Sequence, residues 1–591
     1  MPNQKPLNNK EKIFKDPLYG YISVSYDFVD NFVDTAVFQR LRRIVQTSYS
    51  PLYAATLHNR FIHSLGVYHL GRLAFDSMRN SLNEAVEKHQ ITDFHIEEYK
   101  ELFLAACLLH DVGHAPFSHI GEEFYERIKG TDWLDKQFWA AAGIKSKYRS
   151  VIPSERAAAH ELMSVIVALR VYKFFFRDKD REFFARCITG YKYDTSLYDQ
   201  KCKYLLQLKN YLISILRSDS IDVDRLDYLI RDSFVSGYQN VSIDYKRLLN
   251  GLMVVYDKAK DEYLPVFHKN AISVIESVIF AHDSEKKWIQ NHPVICYESE
   301  IIRYAIEKVL THFGSENIFC YEALTEKGIT VNTTPPVGNG YKLSLLSDTE
   351  ILFFIKNIIP EDEFINEFFD RTKRRSALWK SEVEFTQLNS TKLSGDVIDS
   401  AIQICGLMND IFKYRLSHIP PVINRKSLKE AEILLSNFKD QDELFEDRKQ
   451  AADKISLTAI DKNRKNTSKK GISNFIEYCK CFEKFARKSV LSFDIGFLIL
   501  MPKKFKSGFA REITDKIRIW FPMAQRMDFF TTVTSTLSPR QNTEANTQSE
   551  ETEVIYFYTQ KIKDDDTKRK LQEDFISFLG NELKVTYDRL T

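Results

Sequence analysis

Nothing in this chain marks it for a membrane, for export or for a disulfide framework. Its 591 residues contain no run of about 18 apolar residues, the length a membrane-spanning helix needs. The opening MPNQKPLNNKEKIF has no apolar signal region, so a soluble, cytoplasmic protein without a membrane partner is expected. The eight cysteines are scattered and form no CxxC pair; Cys479 and Cys481, the closest, lack zinc-finger spacing. They read as reduced core or surface thiols. An excess of either charge is also missing. The formal net charge of +2 gives no global electrostatic case for nucleic acid or an anionic surface, although the short basic segments KKGISN and PKKFK leave weak single-strand binding open. No internal repeat is visible. What the chain does have is 44% hydrophobic residues over a length too great for one core, which implies two or three domains or subdomains.

The most informative stretch is Glu101 to His119, ELFLAACLLHDVGHAPFSH. Leu102, Phe103, Ala106 and Leu109 are spaced for the buried face of a helix. That face runs into His110 and Asp111, after which Gly113 and Pro116 stop the helix and His114 and His119 follow in the turn. An ionisable His-Asp pair at the end of an apolar helix is costly to bury without compensation. A divalent metal is the simplest compensation, since imidazole and carboxylate can point at one ion; the plainer reading is a helix C-terminus favouring a positive imidazole. Further stretches add to the metal reading. HNRFIHSLGVYHLGRL places His63 in the first turn of a helix whose Val67, Leu70, Ala74 and Met78 are buried, with Arg60 just ahead where it could meet a phosphate. SERAAAHELMSVIVAL puts His160 on another helix. In SDSIDVDRLDYLIRDSF, Asp224, Tyr228 and Asp232 stand at i, i+4 and i+8, one stripe of a helix beside Arg225. A solvated polar face is the plainer alternative there.

His63, His110, Asp111 and Asp224 make a mixed N/O set suited to one Fe, Mn, Zn or Mg-like ion, with positions left for water and a substrate oxygen; a further Mg²⁺ arriving with a triphosphate is compatible with it. Such a site polarises a phosphoryl oxygen and lowers the pKa of a bound water. His114, His119 and His160 are candidates for proton transfer, and Glu122 can hold one imidazole nitrogen so that the other is presented.

The motifs FKDPLYGYI, DTAVFQRLRRIVQ, HNRFIHSLGV, HDVGHAPFSH, AAHE and IDVDRLDYLIRD, in that order over roughly residues 11–300, resemble the HD-domain phosphohydrolases. More narrowly they are similar to the deoxynucleoside triphosphate triphosphohydrolases, both the bacterial dGTPase-like enzymes and the sterile-alpha-motif-and-HD-domain dNTPase. The resemblance implies a helical HD core that splits dNTPs into deoxynucleoside and inorganic triphosphate. It implies metal ligation by His63, His110, Asp111 and Asp224, and His119, oriented by Glu122, as the acid, with His114 and His160 beside it. Arg60, Arg225 and Tyr228 would hold the triphosphate, Tyr228 also lying under the deoxyribose, while Asp232 and Gln46 read the 3′-hydroxyl. Lys12, Ile13, Asp34, Gln39 and Arg42 match the positions where an activating guanine nucleotide binds and drives assembly of a tetramer or dimer; a packed helix with structural charges explains the same residues equally well. The chain departs from the family at Thr47, where a hydrophobic residue is usual, and at His282, near where an arginine grips the γ-phosphate; Lys286 or Lys287 would substitute. Antiviral (anti-phage) depletion of dNTP pools is a use known among such enzymes. Two other functions compete: an HD phosphatase or phosphodiesterase on another nucleotide, and a nucleotide- or single-strand-binding regulator with a structural HD site.

The expected organisation is mainly α: a flexible segment 1–10, an HD core over 11–313, a helical extension over 314–474 and a smaller α+β subdomain over 475–591. In the last, 490–502 and 553–560 read as strands, 568–583 as a closing helix and 535–552 as a disordered loop.

Overall fold

The protein is described here from a computed structural model, which covers residues 11–127, 129–144, 156–197, 200–218, 220–238, 242–313, 318–332, 338–359, 361–389, 422–425, 481, 484–500, 502, 507–508, 511–534 and 554–583. The segments 1–10, 461–471 and 535–552, the KKGISN segment and residues 503–506 of PKKFK lie outside the described residues. The fold is mostly helical with small sheets, a helical core and a smaller α+β part. Its compact units are 1–286 with 309–358 and 506–549, and 287–308 with 359–505 and 550–591.

The first unit opens with an antiparallel hairpin, β1 (Glu11–Asp16) and β2 (Gly20–Ser25). Asp16 Oδ1 accepts the N–H groups of Leu18 and Tyr19, and Gly20 takes the positive φ of +78° that closes the turn. β1 is exposed on alternate residues and has no apolar alternation to read from the sequence.

The helices follow the apolar periodicity. The longest, α1 (Arg60–His89), starts where the Asn59 side chain accepts the Ile62 N–H at 3.3 Å, and ends with Gln90 in the left-handed region. It packs against α2 (Ile96–Leu109), and α2 packs against a later helix of the core, Asp178–Thr189. Helix α3 (Ala159–Val171) carries His160 in its first turn, and α4 (Val223–Ser236) carries the Asp224–Tyr228–Asp232 stripe and packs on α1. Helix α2 ends four residues before the expected glycine stop, so His110 and Asp111 sit in the turn beyond Leu109.

The strands β3 (Leu252–Asp257) and β4 (Glu262–His268) form a second hairpin that the sequence reading did not anticipate. Pro265 obscures β4. It is tolerated because β4 pairs with its other neighbour, β9 (Arg518–Phe521), only through Phe267 and His268. With β10 (Arg526–Phe529) the sheet order is β10-β9-β4-β3. A short pair, β5 (Ile329–Val331) with β6 (Tyr341–Leu343), precedes helix α5 (Asp348–Ile358).

In the second unit, β7 (Ser376–Ala377), β11 (Tyr556–Thr559) and β8 (Phe497–Leu500) form a sheet in the order β7-β11-β8. Both long strands are wholly buried. Phe497 and Phe557 stack at 4.7 Å, and the closing helix α6 (Asp565–Ser577) adds Phe575 at 5.2 Å from Phe557. This aromatic cluster is the core of the unit. Phe557→Ala should cost about 3–5 kcal/mol, read as an earlier urea transition of this unit.

Candidate active site

The site is assembled from four pieces of the first unit that are far apart in sequence. An isolated antiparallel bridge between Val45 and Asn59 brings Gln46 and His58 to the start of α1, where Arg60 and His63 follow. The turn after α2 contributes His110, Asp111, His114 and His119. Helices α3 and α4 contribute His160 and the acidic stripe. The turn after α2 has no room to vary. A Cβ on Gly113 would lie 2.4 Å from the backbone of Met163 and Ser164, so only glycine lets the HD turn seat against α3.

Four donors converge there. His63 Nε2 is 3.3 Å from His110 Nε2 and 3.1 Å from Asp224 Oδ1, and Asp111 Oδ2 lies 3.7 Å and 3.5 Å from the two imidazoles. The other ring nitrogens are committed: His63 Nδ1 donates to Asp227 at 2.8 Å and His110 Nδ1 to the Cys107 carbonyl at 2.9 Å. These acceptors fix both tautomers, so two Nε2 lone pairs and two carboxylates face one point. With both Nδ1 atoms donating, a positive charge between the two Nε2 atoms relieves the repulsion of their lone pairs, and a divalent ion supplies it without a proton on His63. An ion bonded at roughly 2.0–2.2 Å sets its ligands about 3 Å apart, which is the spacing found. Electrostatics agree. Burial would lower His63, but Asp224 and Asp227 outweigh it and lift it to about 9. Burial would raise Asp111, yet Arg60 and the two histidines hold it well below the usual carboxylate range. The donor set fits a divalent ion.

A second cluster lies beside the first. Glu122 accepts from His119 Nδ1 at 3.2 Å with one oxygen and from His160 Nδ1 with the other. His114 stacks on His160 with centroids 4.5 Å apart. Both His114 nitrogens are buried without a partner, and burial, with Arg60, keeps the ring neutral. His119 stands at the mouth, its side chain 59% exposed. Glu122 orients two of the imidazoles, and the ligand atoms of His114, His119, Glu122 and His160 all lie within 4.8 Å of one another, close enough to hold an ion as well.

Of the other candidates, Asp232 is buried and bonded to His58 Nε2 at 2.7 Å. Gln46 Oε1, Thr47 Oγ1 and His58 Nδ1 are buried and unpartnered. Tyr228 is half-buried on the same stripe, and burial raises its phenol. Arg60 is committed to protein: Nη1 to Asp111 at 2.7 Å, Nε to Ser118 at 3.0 Å, Nη2 to the Gln46 carbonyl at 3.3 Å. Arg225 donates through Nη1 to the Ser220 carbonyl. His282 pairs with Asp283 at 3.1 Å. Lys287 belongs to the second unit, where it pairs with Glu382 at 3.4 Å. On the hairpin side, exposed Lys12 pairs with Asp34 at 3.0 Å and Ile13 is 63% exposed. Gln39 Oε1 accepts from Arg42 at 2.8 Å, and Arg42 lies 3.6 Å over the Phe61 ring.

Sequence reasoning missed Asp227, His58 and Asp348. Asp348 Oδ2 accepts the Val45 N–H at 2.9 Å and Oδ1 the Phe117 N–H at 2.6 Å. It thereby ties the strand before Gln46 to the turn before His119, where Phe117 and Ser118 are both held at positive φ. Burial pushes this carboxyl up to about 7, against roughly 4 in an unfolded chain. A carboxyl raised on folding contributes stability that is complete below pH 4 and lost as pH rises through 7. Asp348→Asn should therefore cost about 1–3 kcal/mol through the donor it leaves unpaired. In urea unfolding the gap to wild type should be wider at pH 5 than at pH 8.

Residues 60–140 match the HD domain family model. Similar proteins include the uncharacterized protein YwfO of Bacillus subtilis, 28% identical over 288 residues, 48% of this chain and 53% of that one. They also include the deoxynucleoside triphosphate triphosphohydrolase SAMHD1 homolog of Dictyostelium discoideum, 29% identical over 42% of this chain and 40% of that one, and bovine SAMHD1, 32% identical over 41% and 38%. The chain spans about half the length, or less, of the curated relatives it matches. In fold it is similar to the crystal structure of a hypothetical protein from Aquifex aeolicus, with a TM-score of 0.50, 16% identity, and coverage of 96% of this chain and 100% of that one. The His-Asp turn, its facing imidazole on α1 and the family match coincide on one stretch: residues 60–140 of this chain are an HD domain.

Proposed function

We propose that the chain is a metal-dependent dNTP triphosphohydrolase, producing deoxynucleoside and inorganic triphosphate. The supporting observation is the pairing of two features. The convergent donor set of His63, His110, Asp111 and Asp224 suits one ion, and next to it Gln46, Thr47, His58 and His114 leave buried polar atoms without partners. Buried polar atoms are nearly always paired, and a polar ligand with its water would pair these. A divalent ion would polarise the phosphoryl group and activate water. The SAMHD1 relatives are deoxynucleoside triphosphate triphosphohydrolases by name.

The chain's own residues then take these roles. His119, held through Nδ1 by Glu122, presents Nε2 to the leaving 5′-oxygen and protonates it from its imidazolium form, which Glu122 supports against the burial that lowers this ring. His160, which Glu122 holds more basic against the pull of burial, and neutral His114 face the phosphate beside it. Asp232, fixed by His58, accepts from the 3′-hydroxyl beside Gln46, and Tyr228 lies under the sugar. Arg225 and any Arg60 N–H left uncommitted meet phosphate oxygens. Draining dNTP pools against a virus or phage is the use we attach to this activity, by analogy alone.

Product analysis with each dNTP, singly and in pairs, under Mn²⁺ or Mg²⁺ tests the reading. Inorganic triphosphate is the expected product. Asp111→Ala should lose both ion and turnover, whereas His119→Ala should keep the ion and lose about 10²–10⁴-fold in rate. Release of orthophosphate or pyrophosphate instead would move the chain to another HD phosphohydrolase activity.

We also propose that Lys12, Ile13, Asp34, Gln39 and Arg42 take an activating nucleotide and that the active species is a tetramer or dimer. The exposed Lys12–Asp34 pair contributes little by itself, so a phosphate can displace it at small cost. Arg42→Ala and Asp34→Ala should leave metal content unchanged and abolish activation by a second nucleotide, a coupling of about 1–3 kcal/mol. Light scattering should show no growth in mass on nucleotide addition. A wild type at full rate on one dNTP with constant mass would remove the regulatory reading and leave the enzyme.

A further inference from the structure

Asp227, which the site uses through His63, is also half of a fully buried ion pair. Asp227 and Arg231 lie one turn apart on α4, and both are fully buried. Arg231 Nε and Nη2 donate to the two oxygens of Asp227 at 2.9 and 3.0 Å, and Nη1 reaches Asp16 Oδ2 at 2.9 Å. Asp227 is filled from two further sides. His63 Nδ1 donates to Oδ2 at 2.8 Å, and the Tyr19 hydroxyl donates to Oδ1 at 2.7 Å.

Asp16 and Tyr19 flank the turn of the β1–β2 hairpin, more than 200 residues away in sequence. An unbroken path of charge-assisted hydrogen bonds therefore runs from the hairpin turn, through Arg231 and Asp227, to the imidazole that faces His110. There is no slack along it. A Cβ on Gly66, one turn after His63, would lie 1.9 Å from Asp227 Oδ1 and 2.6 Å from Arg231 Nη2, so the backbone of α1 is closed against the pair. Asp227 has no space to retreat into, and a change in how Tyr19 or Arg231 holds it must pass to the His63 ring. An outer carboxylate on a ligating imidazole sets its tautomer, angle and basicity.

We propose that the N-terminal hairpin is a working part of the metal centre. Asp16 and Tyr19 are positioning residues that act through Asp227 on His63, and the seating of the hairpin turn on α4 sets how tightly a divalent ion is held. This rests on the reading of His63 and His110 as metal ligands.

The test uses the full chain stripped of metal and titrated with Co²⁺ against a chromophoric chelator. Tyr19→Phe, which deletes a single hydroxyl, and Asp16→Asn should each weaken Co²⁺ binding about tenfold or more, within the range for outer-shell partners, and should shift the visible Co²⁺ absorption. Circular dichroism and melting confirm folding; if Asp16→Asn fails to fold, Tyr19→Phe decides. Glu11→Gln serves as the control. It breaks the 2.7 Å pair that anchors the hairpin to Arg72 on α1 but leaves the path intact, and it should bind Co²⁺ as wild type does. Wild-type affinity and spectrum in Tyr19→Phe would overturn the proposal, as would an equal loss in Glu11→Gln, which would mean general loosening. A wild type that takes up no Co²⁺ would instead overturn the metal reading beneath it.

Discussion

Two imidazole nitrogens that face each other 3.3 Å apart, with both opposite ring nitrogens already donating, are the constraint on which the rest of the core depends. The arrangement is unfavourable by itself and requires walls that cannot relax. Helix α1 provides one wall and the turn after α2 the other. Gly113 seats that turn on α3, and Asp348 holds the backbone on either side of the pocket mouth. The apolar packing of α1 on α2 serves less to fill space than to prevent the two rings from moving apart.

The charges of the connected network lead to the same point. Asp16, Asp111, Asp224 and Asp227 are four carboxylates, and Arg60 and Arg231 are two guanidinium groups. With neutral histidines the network is two positive charges short. Burying uncompensated charge costs several kcal/mol per ion, and a divalent cation supplies that deficit in one piece. Asp111 is kept ionised despite burial by Arg60 and the two histidines, and Asp224 by its hydrogen bonds to His110 and His63.

What the sequence made legible was local. His110 and Asp111 could be read because they are adjacent and interrupt an apolar periodicity, and Asp224, Tyr228 and Asp232 because helical spacing places them on one stripe. The helices of the core followed from the same periodicity. The rest was hidden because it depends on pairings across long separations that no local pattern records. His58 meets Asp232 from 174 residues away, and Asp348 meets Val45 from 303. Asp227 stands in the very motif that gave Asp224, one position before Tyr228, yet its spacing assigns it to the helix face turned toward core residues such as Leu226. Only the structure shows that this face meets Gly66 and the hairpin turn. The β3–β4 hairpin was obscured by Pro265, and β1 by a strand too exposed to alternate.

These hidden residues share a physical role. Each is a buried carboxylate or imidazole that touches a candidate site residue, or the backbone beside one, and none forms part of the convergent donor set. Asp227 fixes His63, His58 fixes Asp232, and Asp348 fixes the segments leading to Gln46 and His119. A buried polar group is costly when its partner is missing, so each of these groups tolerates only one geometry of the residue it holds. The chemistry-bearing residues occupy short motifs because adjacent positions can converge on one point. Their supports come from distant segments because rigidity in a helical core is gained by cross-linking elements, and cross-links between remote segments restrict motion more than those within a turn. In this chain the precision of the site is therefore a property of the whole first unit, from the N-terminal hairpin to α5, while its identity is written in a few residues of the HD stretch.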